Sequence, residues 1–511
     1  MSFRIRDTDL LGRTGTLRVG SRSVETPAFL PVIHPVNQVV PGGELLSMGF
    51  GAAITNSYIA YRRYGHGISE RGGIHGVTGY DGVLMTDSGG YQVLEYGDVD
   101  VDPLTIAEYQ AEMGSDIAVV LDRPTGASAS RERALETVEE TLRAARETLR
   151  VVERTRGRMA WALPIQGGLH LDLVERSARE ASALPYDVYS VGSPVELMNS
   201  YRFRELASLL LTAKRNLPPE RPVHLFGAGH PLTMALAVAL GADTFDSASY
   251  VLFARELRYM TRCGVRELRA LSELPCSCPI CSKYTLRELL ELPRAQLVGL
   301  VARHNLYVLR EELLEVRQAV AEGRLWEYLM HKTSCHPSLH PVRSLMVEAS
   351  GDFSEFTRLY KRRAAFLFGP EDLHRPELES ARARVRRVRP RGDSVLLVVA
   401  PSVRLQLPGI AGAEGDVYLV APFLGPVPVG LVDAYPFSQS VSPDPESLDR
   451  RVLEGTADEV AAALSGWGIS RVRMLVSPDR ASRELSGMIA SRLGGLGIAV
   501  SLEPSERPDH V

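Results

Sequence analysis

Three aspartates and one glutamine each close an apolar run: Asp87 in VLMTDSGGYQ, Asp122 in IAVVLDRPTG, Gln166 in AWALPIQGG and Asp246 in TFDSASY. A single carboxylate in such a place is usually a cap or an ion-pair partner. Several that converge can do acid, base and nucleophilic work at an anomeric carbon, where paired carboxylates are the common tools. Gln166 offers donors and an acceptor, which suits the edge of a base or sugar. Two other chemistries fail around Asp87 on spacing alone. No Gly-Lys-Ser/Thr follows it, so there is no phosphate loop, and Ser88 lies between Asp87 and Gly89 rather than in GxSxG. What is left is a carboxylate before Gly89 and Gly90, which would let a planar ligand approach the backbone. Tyr91 is placed either to stack on that ligand or simply to pack.

A second cluster has metal chemistry. ELPCSCPICSKY sets Cys276, Cys278 and Cys281 in CxCxxC spacing, and His304 follows 23 residues after Cys281. Three thiolates this close can share one tetrahedral ion with an imidazole from a later helix, and Pro275, Ser277 and Pro279 mark the segment as a loop. Zinc is the expected metal. Four protein ligands leave no open position, so its role would be structural. His331, Cys335, His336 and His340 also lie downstream as alternative fourth ligands. With three of five cysteines in this cluster, the composition points to metal rather than disulfides, in a reducing compartment.

These residues need elements to hold them. Apolar runs recur at 28–33, 51–56, 83–87, 117–122, 160–165, 188–192, 224–229 and 244–247, and several gaps between them are helical. Over 133–154, Leu135, Val138, Leu142, Ala145, Leu149 and Val152 alternate steps of three and four, one face of a helix. Segments 197–214 and 231–240 also read as helices. Strands mostly followed by helices predict a (β/α)8 barrel, whose site lies at the C-terminal strand ends. A doubly wound sheet is the alternative, but no GxGxxG opens a helix after the first strand. In the barrel, Asp87, Asp122, Gln166, Gly192, Gly227 and Asp246 fall at or just past strand ends and share one mouth.

After residue 250 the rhythm stops. The cysteine loop leads into helical sequence at about 285–330, and VLLVVA, DVYLVA and VRMLVS later alternate with helical segments near 456–465 and 481–493. The expected organisation is a catalytic barrel domain over 1–345 that includes a zinc-binding subdomain at about 270–345. A helical, basic linker over 346–391 and a C-terminal α/β domain over 392–511 follow. At 511 residues, with 45% hydrophobic and 23% charged side chains, the composition is that of a soluble globular chain. No apolar stretch approaches the ~18–20 residues needed to cross a bilayer. The N-terminus has no apolar signal region, so a cytoplasmic protein is expected. Net charge is −4, yet 382–391 (RARVRRVRPR) holds six arginines and no acid, with Lys361-Arg362-Arg363 upstream. Such a stripe suits a polyanion or a solvated linker equally.

Taken together, MTDSGGYQV, PIQGG, FDSASY and CxCxxC with its later histidine resemble the tRNA-guanine transglycosylases over about residues 10–345. The archaeal branch is the nearer likeness, because FDSASYVLFAR stands where bacterial members tend to read FDCVLPTR. The segment PFLGPVPVG…YPFSQS (422–440) also resembles the archaeal extension. The resemblance implies base exchange without ATP, in which guanine at position fifteen of the tRNA D-arm is replaced by 7-cyano-7-deazaguanine (preQ0). It implies Asp246 as nucleophile, giving a covalent ribosyl-enzyme, and Asp87 as general acid/base. Asp122 and Gln166 would read the purine edge, with Gly192 and Ser193 supplying backbone groups. Ser88 and Gly90 line the pocket, and Tyr91 and Phe226 sandwich the ring. A homodimer with one structural zinc per chain is the expected form, with no membrane partner. Archaeal members often end in an RNA-binding PUA domain, and none is recognised here. A separate PUA-type protein, or the barrel and basic stripe alone, would then hold the tRNA. Exchange at the anticodon wobble guanine, a non-catalytic tRNA-binding paralogue and a sugar glycosidase are the competing readings.

Overall fold

The computed structural model describes residues 1–90, 101–192, 194–402 and 416–505. Tyr91 and Ser193, both expected site residues, lie outside the described residues. The chain divides into two compact units, residues 1–321 with 328–345 and residues 322–327 with 346–511.

The first unit opens with an antiparallel sheet of β1 (Ser2–Asp9), β2 (Gly12–Val19) and β3 (Arg22–Thr26). Eight strands then close into a parallel barrel: β4 (Ala28–Ile33), β5 (Ala52–Asn56), β6 (Val83–Asp87), β7 (Ile117–Val119), β8 (Ala160–Ile165), β9 (Val188–Val191), β10 (Val223–Leu225) and β11 (Thr244–Ser247). The barrel shuts where β11 pairs with β4, Thr244 opposite Ala28 and Asp246 opposite Leu30. The expected (β/α)8 barrel is therefore the observed one. Its interior is filled by short or β-branched side chains, among them Ala28, Ile54, Val83, Val119, Ala160 and Val188. Leu17, Val19 and Val24 of the opening sheet join that cluster, so the N-terminal hairpins plug the barrel. Arg13 of β2 fixes the plug through a bidentate ion pair with buried Asp243, at 2.7 and 2.8 Å.

Helix Arg131–Thr155 begins where Ser130 accepts a hydrogen bond from the Arg133 amide, an N-cap. Val138, Leu142, Ala145 and Val152 are buried as expected, whereas Leu135 and Leu149 are only half-buried. Thr137, Thr141 and Thr148 take up that face, their small branched side chains fitting close against the barrel. The predicted single helix over 197–214 is two, Val195–Asn199 and Phe203–Arg215. Tyr201 sits between them at φ +56°, a left-handed conformation that no helix continues through.

Past the barrel, β12 (Arg258–Thr261) and β13 (Gly264–Glu267) form a hairpin held by the 29-residue helix Arg294–Glu322. Asn305 of that helix accepts from the Met260 amide and donates to the carbonyls of Tyr250 and Arg258. One expectation is corrected here. Cys263 at the hairpin tip and Cys335 form a disulfide, their Cα atoms 5.0 Å apart, so metal is not the only use of cysteine in this chain. The two are 72 residues apart in sequence, and only folding of the hairpin against helix Leu325–Thr333 and its end brings them together.

The second unit is an α/β domain. After β14 (Ala365–Phe366), its sheet consists of β15 (Ser394–Val399), β16 (Asp416–Ala421), β17 (Gly425–Pro428), β19 (Arg471–Val476) and β20 (Ala499–Pro504), in the order β17-β16-β15-β19-β20. Only β17 runs antiparallel. A short β18 (Ser440–Val441) pairs with β14. Helices Arg450–Trp467 and Arg480–Gly495 supply much of the core, and so do Leu378, Ala381 and Val385 of helix Pro376–Val385. The basic stripe is thus partly structural. Arg382 is buried and donates to the carbonyls of Leu373 and Phe423, Arg386 pairs with Glu459, and Lys361 is buried against Glu377. Arg384, Arg387, Arg389 and Arg391 are exposed.

Candidate active site and metal centre

The C-terminal end of the barrel collects the acids. Asp87 ends β6, Asp122 lies just past β7, Gln166 follows β8, Gly192 follows β9, Gly227 follows β10 and Asp246 is within β11. A strand that ends at the barrel mouth turns its last side chain towards that mouth while its apolar residues remain inside.

Asp246 is held on one oxygen. The Gly227 amide donates to its Oδ1 at 3.0 Å, and His224 Nε2 lies 3.1 Å from the same atom. His224 is fully buried, with Nδ1 2.9 Å from Thr244 Oγ1. Among the described residues no donor reaches Asp246 Oδ2. Since Gly227 and His224 occupy one oxygen, the second keeps its lone pairs for the mouth.

Asp87 accepts at Oδ2 from Asn56 Nδ2 at 2.8 Å, and the Ser57 hydroxyl fixes its backbone carbonyl. Burial, and then the negative charge of Asp246, push the Asp87 carboxyl up to about 6 against the pull of hydrogen bonds from Gly89, Asn56 and Ser88. Burial and the Asp87 charge push Asp122 up to about 7. Asp246, Asp87 and Asp122 thus form a run of acids, each felt by the next.

Asp122 and Gln166 make the far wall. Gln166 Nε2 donates to Asp122 Oδ2 at 2.5 Å, and its Oε1 accepts from the Thr125 amide at 3.0 Å, which fixes the amide's orientation. A side chain at Gly90 would run into the Asp122 carboxylate, and one at Gly192 into the Gln166 amide. A side chain at either position would displace the hydrogen-bonded Asp122–Gln166 wall. The Ser88 hydroxyl donates to the Val120 carbonyl at 3.2 Å, so its side chain serves the wall. Phe226 stands over the barrel interior, edge to face with His224 at 4.8 Å. The structure thus brings Asp87, Asp122, Gln166, Gly90, Gly192, Phe226 and Asp246 to one mouth. Sequence reasoning missed Asn56, Thr125 and His224. The signal for two of them was a polar residue interrupting or closing an apolar run, Asn56 in GAAITN and His224 in HLFGAG.

The metal cluster is as the spacing predicts. Cys276, Cys278, Cys281 and His304 present ligand atoms all within 4.8 Å of one another, and among the described residues they are the one such group found. His304 Nδ1 lies 3.4 Å from both Cys278 Sγ and Cys281 Sγ. Its Nε2 lies 2.9 Å from the Met260 carbonyl, and Tyr259 stacks on the ring at 3.7 Å. A carbonyl behind the distal nitrogen fixes the tautomer that leaves Nδ1 free to ligate. The set can hold a metal ion. No helix among the described residues is long and apolar enough to cross a membrane.

Residues 7–338 match the family model described as queuine tRNA-ribosyltransferase. The tRNA-guanine(15) transglycosylase of Aeropyrum pernix is 42% identical over 91% of this chain and 92% of its own length. That of Sulfolobus acidocaldarius is 40% identical over 91% and 93%. That of Methanocaldococcus jannaschii is 36% identical over 90% of this chain but 71% of its own length.

Proposed function

Because the chain belongs to the queuine tRNA-ribosyltransferase family, we propose that it exchanges guanine at position fifteen of tRNA for 7-cyano-7-deazaguanine. The observation that carries the reading is the pair of unlike carboxylates in one mouth. Asp246 has two donors on Oδ1, whereas Asp87 is held near neutral pH by its surroundings. The unlike surroundings of the two carboxyl groups assign their roles.

In this reading Asp246 Oδ2 attacks C1′ of the target ribose as the bond from C1′ to the guanine nitrogen breaks. The Asp87 carboxyl gives its proton to the departing base, leaving a ribosyl ester on Asp246 and a carboxylate on Asp87. The incoming base returns a proton to Asp87 and attacks C1′ from the opened face, releasing Asp246. Two inversions retain configuration, and the proton balance closes with no net change. Asp122 accepts from the N–H donors of the purine edge and Gln166 addresses its carbonyl, while Phe226 covers the ring. Base–aromatic stacking is worth ~1–3 kcal/mol. A base inside a tRNA helix has to leave its stack to reach this mouth. His224 acts through Asp246 as a positioning residue: it turns the carboxylate so that Oδ2 faces the ribose.

The metal is zinc in the same reading, held by Cys276, Cys278, Cys281 and His304. Its four ligands leave no site for substrate, so it secures the hairpin and the loop. A homodimer completes the proposal. Incubation with labelled 7-cyano-7-deazaguanine and unmodified tRNA should place the label at position fifteen. Label confined to the anticodon loop would overturn the choice of target.

A further inference from the structure

We infer that one edge of the second unit, carried by residues 356–368, is an RNA-docking surface that stacks unpaired bases on aromatic rings between arginines. This goes beyond the exchange site and rests on tRNA being the substrate.

The segment reads FTRLYKRRAAFLF and contains no carboxylate. Its inward residues are fixed. Lys361 is buried with Nζ 3.3 Å from Glu377 Oε1, and Thr357, Ala365 and Leu367 are buried too. The Phe366 amide donates to Glu327 Oε1 at 2.9 Å and the Phe368 amide to Asp372 Oδ2 at 2.7 Å. Arg375, fully buried, bonds both Glu327 and Glu377 and so ties these anchors together. Pairing of β14 with β18 adds a backbone clamp.

Against this fixed base the outward residues are unusual. Phe356, Tyr360 and Phe368 are 40%, 64% and 66% exposed, and Tyr360 leans edge-on against Tyr435 at 5.8 Å. Large aromatic rings held in water along one short, anchored segment mark an interaction surface. The charge says which kind. Arg358, Arg362 and Arg363 are exposed among these rings, with Glu322 paired to Arg363 and Glu355 exposed at the flank. A second copy of this chain meeting the surface about a twofold axis would set guanidinium against guanidinium. A nucleic acid supplies the opposite charge for the arginines and flat bases for the rings, the combination found in sequence-tolerant single-strand binding. The stripe at 382–391 gives Arg382 to the core, pairs Arg386 with Glu459 and contains no aromatic residue, so the edge is where exposed arginines and exposed rings occur on one segment.

The test measures binding of full-length protein to unmodified tRNA by fluorescence anisotropy, beside tRNA-saturated base exchange and mass by light scattering. Tyr360→Ala combined with Phe368→Ala should weaken tRNA binding at least about tenfold, with kcat at saturating tRNA unchanged. Arg362→Glu should flatten the dependence of log Kd on log salt by about one. Tyr360→Phe should bind as the parent does, which separates stacking from a hydroxyl contact. These side chains are exposed, and unchanged melting of each variant checks that the fold is intact. Parental tRNA affinity in the double variant overturns the inference. The same result with a halved mass would identify the edge as a subunit interface instead. Should the parent bind tRNA through this edge yet fail to exchange its base, the exchange reading falls and the docking surface stands.

Discussion

At the scale of single residues, the mouth is arranged so that two chemically identical side chains behave differently. Asp246→Ala and Asp246→Asn should abolish exchange and trap no ribosyl adduct in denaturing gels with labelled tRNA, because neither retains a nucleophilic oxygen. Turnover at the parental rate would remove the covalent role. For Asp87 the direction follows from its raised carboxyl. Departure of guanine needs Asp87 protonated, so single-turnover adduct formation should fall as pH rises through about 6, the value to which burial and Asp246 push it. Asp87→Asn should abolish that limb along with most of the rate. A limb that survives in a slow Asp87→Asn enzyme would assign it elsewhere. His224→Phe keeps ring volume but gives Asp246 Oδ1 one donor fewer. It should lower kcat by roughly ten- to a hundredfold, in line with the loss of one charge-assisted bond, with KM for the free base little changed. An equal loss in kcat and stability without a kinetic split would mean that His224 only packs.

The burial that raises the Asp122 carboxyl also opposes stability at neutral pH. Its carboxyl is raised to about 7 in the fold from an ordinary value near 4, so the folded state holds a proton that the unfolded chain has released. Stability contributed by that group is full below about pH 4 and is lost as pH rises towards 7. Asp122→Asn removes the ionisation, so its melting temperature relative to the parent should climb between pH 4 and 7 and then level off, while exchange is lost. A pH-independent difference would contradict the burial argument.

At the scale of elements, the barrel was legible because its strands are short apolar runs, four of which carry Asp87, Asp122, Gln166 or Asp246 at or just past their ends, and the observed bounds of β4, β6, β8 and β11 coincide with those runs. The metal loop was legible because CxCxxC spacing has few other uses. Pairings made only by tertiary contact were not. His224 reads as a strand residue until Asp246 arrives beside it from β11, Cys263 and Cys335 meet across 72 residues, and Tyr201 breaks a helix that its neighbours' pattern would continue. Lys361 and Arg382 read as solvent charges because nothing local announces the carboxylate and carbonyls waiting for them. The plug of the barrel is another such pairing, and it is testable. Asp243 accepts from Arg13 and from the Val223 amide at 2.8 Å, all buried. Asp243→Ala would strand a buried guanidinium, a loss of about 3–5 kcal/mol. The melting temperature of the first unit should fall by several degrees or more, whereas removing the exposed Arg131–Asp172 pair should leave it nearly unchanged. Equal effects would show that the plug does not depend on this pair. Cys278→Ser should likewise lower melting and metal content together, since a closed four-ligand site contributes folding energy.

At the scale of the whole molecule, a chain of net charge −4 that acts on tRNA has to bind its substrate through local charge rather than its total. The base and the tRNA therefore meet different physics. In the proposed reaction the free base enters a mouth lined by hydrogen-bonding groups and by Phe226, where few mobile ions are displaced. Exposed arginines stand at the inferred docking edge (Arg358, Arg362 and Arg363) and in the stripe (Arg384, Arg387, Arg389 and Arg391), and each phosphate neutralised there would release counterions. Raising salt fourfold should then increase KM for tRNA by roughly a hundredfold if about four phosphates are contacted, while KM for 7-cyano-7-deazaguanine stays within about a factor of two. A steady-state series in which each substrate is varied with the other saturating separates the two. If both constants rise together, salt is acting on the mouth itself, and the run of acids from Asp246 to Asp122, rather than the arginine edge, would be the part of the molecule that feels it.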